Sequence, residues 1–222
     1  MHQNYLMHRI VLTVVLACFA ACGPAARAQS PAAPGIDALP RIPAPVAVTL
    51  DARTSVLLIL DINTTVCQRY PACIASVPTV AALLKKARDA NVPVVYSTTP
   101  SPTGPAPVLP EVTPAPGEPV VAARANKFID TNLEDLLKQR KASTLVVVGT
   151  AANGAVLYSL FHANTRGFTV VVAEDGLSSQ VPFNTYLARY QLLNQPGFTN
   201  ADNKPLAEKM VTLSRSDLIT FR

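Results

Sequence analysis

Leu145 to Val148, four consecutive apolar residues, run straight into Gly149 and a loop of small residues. From Ala155 the apolar positions return at helical spacing, as Val156, Leu160 and Ala163. A short apolar run closed by glycine reads as a buried parallel strand. The 3.6-residue period after it reads as a helix packed back onto that strand. Gly149 and Gly154 permit φ values or close approaches that a side chain blocks. The first N–H groups of such a helix lack intrahelical acceptors, so the turn is a place to hold an oxyanion. Turns of this kind occur in any α/β sheet, and the spacing by itself assigns no chemistry.

The chain has 222 residues, room for one large α/β domain, and its 49% hydrophobic and 15% charged content suits a sheet covered on both faces. Arg9, the apolar run Ile10 to Ala21 and the small residues of Ala26-Arg27-Ala28 predict a secretory signal over 1–28, too short to span a membrane. A lipobox reading of Phe19-Ala20-Ala21-Cys22 is the rival, with Phe unfavourable at its first position. Without Arg9 and Arg27 the 19 basic groups become 17 against 14 acidic ones, a net +3 with no clustered basic stripe. Nucleic acid is not indicated, and the mature chain is expected to carry no membrane span. The expected location is the periplasm or outside the cell. In that setting Cys67 and Cys73, the two cysteines left after cleavage, are expected to form a small disulfide. His162 is the one remaining histidine, too few for a His-based metal cluster or a Ser-His-Asp triad.

Residues 29–50, rich in Pro and Ala, read as an arm or linker without a core of its own. The fold proper is expected over 51–222. Its first strand is Ser55 to Leu60, ended by Asp61. That acid sits where open α/β sheets bind ligands, although a lone acid there also serves as a helix cap. A helix is expected over Val77 to Ala90 and a strand over Pro93 to Tyr96. Residues 100–119, with eight prolines and two glycines, make a stiff loop over the sheet's carboxyl edge. Val120-Val121 is a short strand, Thr131 with Glu134 a capping box for the next helix, and 144–148 the central strand. Phe168 to Ala173, Pro182 to Leu193 and Met210 to Leu213 complete a strand, a helix and a strand. The alternation predicts a mostly parallel sheet with helices on both faces.

In this order the residues resemble the isochorismatase-like, or cysteine hydrolase, superfamily. Leu60-Asp61-Ile62-Asn63 is similar to its V-D-M-Q/N opening, and Val94 to Thr98 resembles its second strand. Phe128 to Leu133 is similar to F-x-x-T-x-L. Leu145 to Ala163 resembles the G-x-x-T-N-x-C-V turn and helix, and Gly167 to Gly176 resembles G-x-x-V-x-V-x-x-D-G. The resemblance covers about residues 54–215. It implies a three-layer α/β/α fold with six strands in the order 3-2-1-4-5-6, which places Asp61 beside the Gly149–Ala155 turn. It also implies hydrolysis of a small amide, ureido compound or vinyl ether by an Asp proton carrier, a Lys and a turn Cys, with turn amides receiving the oxyanion.

Carried over residue by residue, Asp61 takes the Asp position, with Asn63 beside it at the substrate. Ala151, Ala152 and Asn153 take the oxyanion and substrate-binding turn, and Ala155 stands at the nucleophile position. An ungapped reading puts Ala122 at the Lys position, and the nearby cations are Arg124 and Lys127, of which Lys127 is the candidate. The D-x-H…H metal set of nicotinamidase relatives is absent, so neither metal nor cofactor is expected. The reading is a hydrolase of a small molecule that needs no thiolate, with a homo-oligomer expected. The alternative is a catalytically inactive small-molecule-binding pseudoenzyme of the periplasm. An envelope interaction protein using the proline-rich arm is a third possibility.

Overall fold

The computed structural model describes residues 39–222; the expected signal, Cys18, Cys22 and residues 29–38 of the Pro/Ala-rich stretch lie outside the described residues. The strands in chain order are β1 (Val48–Leu50), β2 (Ser55–Leu60), β3 (Val94–Thr98), β4 (Val120–Ala122), β5 (Thr144–Thr150), β6 (Thr169–Ser178), β7 (Val211–Ser214) and β8 (Ile219–Phe221). The helices are α1 (Thr64–Cys67), α2 (Pro71–Asp89), α3 (Leu133–Gln139), α4 (Leu157–Thr165) and α5 (Pro182–Leu193). Six strands form one sheet in the order β4-β3-β2-β5-β6-β7. Every neighbouring pair in it is parallel. This is the three-layer α/β/α architecture that the alternating elements predict.

Both faces of the sheet are covered, which explains the unbroken apolar strands. Val56, Leu58 and Leu60 of β2 face a core closed by Leu133 and Leu137 of α3, Leu160 and Ala163 of α4, and Leu192 of α5. Leu57 and Ile59 face the opposite core, closed by Val77, Val80, Leu83, Leu84 and Ala87 of α2. Strand register then fixes the site. Leu60 is level with Ser97 on β3 and with Gly149 on β5. Asp61, the next residue, therefore emerges at the carboxyl edge, at the point where strand order reverses.

Several boundaries differ from the sequence reading. The last residues of the expected arm are a strand: β1 pairs with β8 in a separate parallel ribbon, with Val48 and Leu50 buried. Helix α2 starts at Pro71, whose ring suits a first helical position. It continues through Pro78, and Ile74, whose carbonyl loses its partner there, is 51% exposed. The Thr131–Glu134 capping box does not form. Thr131 Oγ1 donates to Lys127 O and accepts from Leu133 N, while Glu134 pairs with Lys138 and Arg166. Strand β6 runs on to Ser178 through a register shift opposite Val147–Gly149, so Glu174-Asp175-Gly176 lies inside it.

Candidate active site

Asp61 is held in an uncommon backbone state for a non-glycine residue, with φ +54°. Its side chain leaves the end of β2 and meets two partners. Ser97 Oγ donates to Asp61 Oδ1 at 2.8 Å, and Lys127 Nζ lies 2.7 Å from Oδ2. The pair is buried, with side-chain exposures of 6% for Asp61 and 0% for Lys127. Lys127 arrives from the loop after β4 rather than from the position an ungapped alignment marks. Its ammonium also donates to Ala123 O at 2.8 Å and to Thr98 O at 3.5 Å, so three acceptors meet three donors. Its own backbone N–H donates to Ser159 Oγ of α4 at 3.0 Å. The chain thereby folds back on itself between Ala123 and Lys127 and aims the side chain under the sheet's edge. Arg124, the other nearby cation, is exposed and reaches the cavity wall instead.

Burial pushes the Asp61 carboxyl above the ordinary carboxylate range, against the pull of the Lys127 ammonium and the Ser97 hydroxyl. Burial likewise holds Lys127 below the ordinary ammonium range, against the Asp61 charge. Desolvation disfavours each charge, and the pair shares the proton more evenly than the free groups would. A carboxyl whose pKa is raised in this way holds its proton to higher pH than a free one and is the better placed to deliver it.

The second half of the site is the turn after β5. Gly149, at φ +144°, is there by necessity, since a Cβ would sit 2.2 Å from Leu60 O. The Thr150–Ala151 peptide is cis. The five residues Ala152–Val156 form a single π-type turn leading into α4. Both Gly154 N and Val156 N donate to Ala151 O. Among the described residues no backbone acceptor pairs with Ala151 N–H. Ala151 and Ala155 line a cavity of about 390 Å³ whose wall also includes Asp61, Tyr70, Arg124 and Thr150. A larger hollow, about 710 Å³ between Thr199 and Met210, lies on the loop that enters β7 and has none of these groups.

Not every residue expected at the turn or beside Asp61 faces that cavity. Ala152 is fully buried and its N–H donates to Ser179 Oγ at 3.1 Å, which removes it as an oxyanion donor. Asn153 Oδ1 accepts from the same Ser179 hydroxyl at 3.3 Å, so it braces the turn. Asn63 is buried, and its Oδ1 caps α1 by accepting from Val66 N at 3.0 Å; it is a structural cap rather than a substrate ligand. Ala155 presents a methyl where the family has a nucleophile. Cys67 and Cys73 cannot replace it, since they are bonded to each other with Cα atoms 5.1 Å apart, within ordinary bridging range. Nothing local in the sequence marks Ser97, Ser179 or Ser159 as site residues. Only their pairing across the fold distinguishes them from other hydroxyls.

Residues 55–198 match the Isochorismatase domain family, and the chain belongs to it. Two sequence relatives are similar over shorter stretches. The secreted isochorismatase effector Isc1 of Verticillium dahliae is 34% identical over 116 residues, 48% of this chain and 61% of that protein. N-carbamoylsarcosine amidase of an Arthrobacter species is 32% identical over 87 residues, 39% of this chain and 33% of that enzyme. The chain thus spans less than two thirds of either relative. The crystal structure of N-carbamoylsarcosine amidase from Thermoplasma acidophilum shares the fold, with a TM-score of 0.60 at 20% identity over 74% of this chain and 97% of that one. The protein is an isochorismatase-like fold with an Asp–Lys dyad and no cysteine at the nucleophile position.

Proposed function

We propose that the protein hydrolyses a small vinyl ether, with Asp61 as proton carrier and no covalent intermediate. The carrying observation is the buried Asp61–Lys127 pair at a cavity whose turn offers the Ala155 methyl in place of a thiol. Protonated Asp61 delivers its proton to the terminal vinyl carbon, and the ether oxygen's lone pair stabilises the resulting cation. Water adds to the cationic carbon and returns a proton to Asp61. The hemiketal then collapses to a carbonyl compound and an alcohol. Lys127 holds the carboxyl in place and favours its ionised form once the proton has left. Arg124 and the Ala151 N–H supply donors for an anionic group on the substrate.

The disulfide fits an oxidising compartment, in keeping with export to the periplasm or beyond. N-terminal sequencing of the mature protein should begin at Gln29; a lipid on Cys22 would overturn soluble export. The chemistry is tested with 2-phenoxyacrylate, whose hydrolysis by one water gives pyruvate and phenol. Release of both, lost on Asp61→Asn, supports the reading. The Ala155 methyl also favours a second reading, a binder without turnover. Saturable binding of this probe with no product would support that reading.

A further inference from the structure

The Cys67–Cys73 bridge encloses the tip between α1 and α2, and that tip is part of the cavity. Val66, just before the bridge, and Tyr70, inside it, both line the pocket that holds Asp61. Tyr70 sits at the neck of the loop: its N–H donates to Cys67 O at 3.2 Å, and its O accepts from Cys73 N at 2.8 Å. Both half-cystines are buried, at 1% and 0% exposure, within the core under α2, and Tyr70 packs partly against that core. The base of the loop is tied down as well, by Asn63 at the cap of α1 and by Thr64 N donating to Pro107 O of the proline-rich loop. Helix α1 has only four residues, too few to hold its own shape. Without the bridge, nothing covalent fixes Tyr70 against the cavity.

We propose that the bridge is a positioning clamp that sets Tyr70 as a substrate-binding wall, selecting a small anion with a flat unsaturated body. The flat face lies on the Tyr70 ring beside Val66, and the charge lies toward Arg124. Among the described residues these are the wall's one aromatic and its one cation. Because both sulfurs are buried, reductant reaches them only after the loop opens, so the clamp is permanent in the folded protein rather than a switch.

This inference rests on the small-molecule site proposed above, and its test separates the two. The full mature chain, Cys67→Ala/Cys73→Ala, Tyr70→Ala and the triple variant are compared with 2-phenoxyacrylate as substrate and phenoxyacetate as a non-reacting ligand. Removing the bridge is expected to raise KM, and the phenoxyacetate Kd, about tenfold, with kcat changed less than twofold. Tyr70→Ala is expected to weaken binding similarly, and the triple variant to be no worse than either, because clamp and wall act as one unit. If the bridge-free protein fails to fold, Tyr70→Ala and Tyr70→Phe with the bridge intact decide: Ala weakens phenoxyacetate binding and Phe retains it. Unchanged affinity in every variant, fully additive losses, or no binding of the aromatic anion by the native protein would overturn the proposal. Turnover indifferent to Asp61→Asn would sink the catalytic mechanism alone, since the binding comparison does not need it.

Discussion

The two halves of the site are built on different physical grounds. The proton-handling half is two charges in a dry edge of the sheet, Asp61 and Lys127, each depending on the other. The turn half is backbone, held by Gly149, Ala151 O and the Ser179 hydroxyl. No hydrogen bond of the turn uses the side chain at 155. A methyl there leaves the geometry whole while removing thiolate chemistry. Loss of either member of the ion pair has no such silent route, because a buried charge would remain unpaired. Chemistry at the turn can therefore change without cost to the fold, whereas chemistry at the dyad is coupled to stability.

The strongest way to break that comparison is Asp61→Asn, which is expected to lower kcat/KM about 10²–10⁴-fold, the usual worth of general acid–base catalysis. The native pH profile should carry the sign of an acid. Activity is level while Asp61 is protonated and falls as pH rises through its pKa, which burial holds above the ordinary carboxylate range. Lys127→Met should move that falling limb to higher pH, since the ammonium is what pulls the carboxyl down. A limb that stays in place would show that another group delivers the proton.

Stability tests the coupling. Lys127→Met strands the buried carboxyl when it is ionised and should cost about 3–5 kcal/mol in urea unfolding near neutral pH. The double variant Asp61→Asn/Lys127→Met removes both charges and should recover most of that loss while remaining inactive. The sign follows from the shifts. A raised Asp61 pKa contributes stability that is full below its unfolded value and is lost as pH rises through the folded value. A depressed Lys127 pKa contributes stability above its unfolded value that is lost as pH falls through the folded one. Between those limits the paired charges destabilise the fold relative to a neutral pair. A double variant as unstable as the single would mean that packing, not charge, sets the cost.

Ser179→Ala addresses the turn at smaller magnitude. It leaves the Ala152 N–H without its acceptor and frees Asn153. A lost hydrogen bond of this kind is worth about 1 kcal/mol, and activity should fall severalfold with the pH limb unmoved. A shifted limb would tie the turn to the dyad and end the separation of the two halves.

What the sequence showed divides along the same line. Asp61 was legible because an unbroken apolar run ending in a carboxylate fixes both a strand and the side of the sheet where its end lies. The turn was legible because Gly149 and the change of period mark it. The reach of Lys127 was not, since it depends on Ala123–Lys127 folding back rather than on distance along the chain. Ser97 and Ser179 were hidden for another reason. Their partners lie 36 and 27 residues away, and nothing local separates them from the chain's other hydroxyls. Strand β1 escaped because prolines dominate the residues before it, while its partner β8 is at the far end of the chain.

The smallest expected effect is none, and it sharpens the comparison most directly. Iodoacetamide should leave native turnover unchanged, because Ala155 offers no nucleophile and the Cys67–Cys73 sulfurs are bonded to each other and buried. Ala155→Cys places a thiol on the wall that also bears Asp61 and Arg124. An ordinary cysteine has a pKa of about 8.5 and reacts slowly at neutral pH; a nearby cation lowers that value. If the turn still holds the geometry of a thiol hydrolase, this variant should be alkylated at pH 7 faster than a free thiol. Phenoxyacetate should slow the reaction by filling the cavity in front of the introduced thiol. Alkylation no faster than that of free cysteine would show that the turn keeps the shape of such a site without its electrostatics. Loss of native activity on alkylation would instead place a reactive thiol in the mechanism and overturn the thiol-free route.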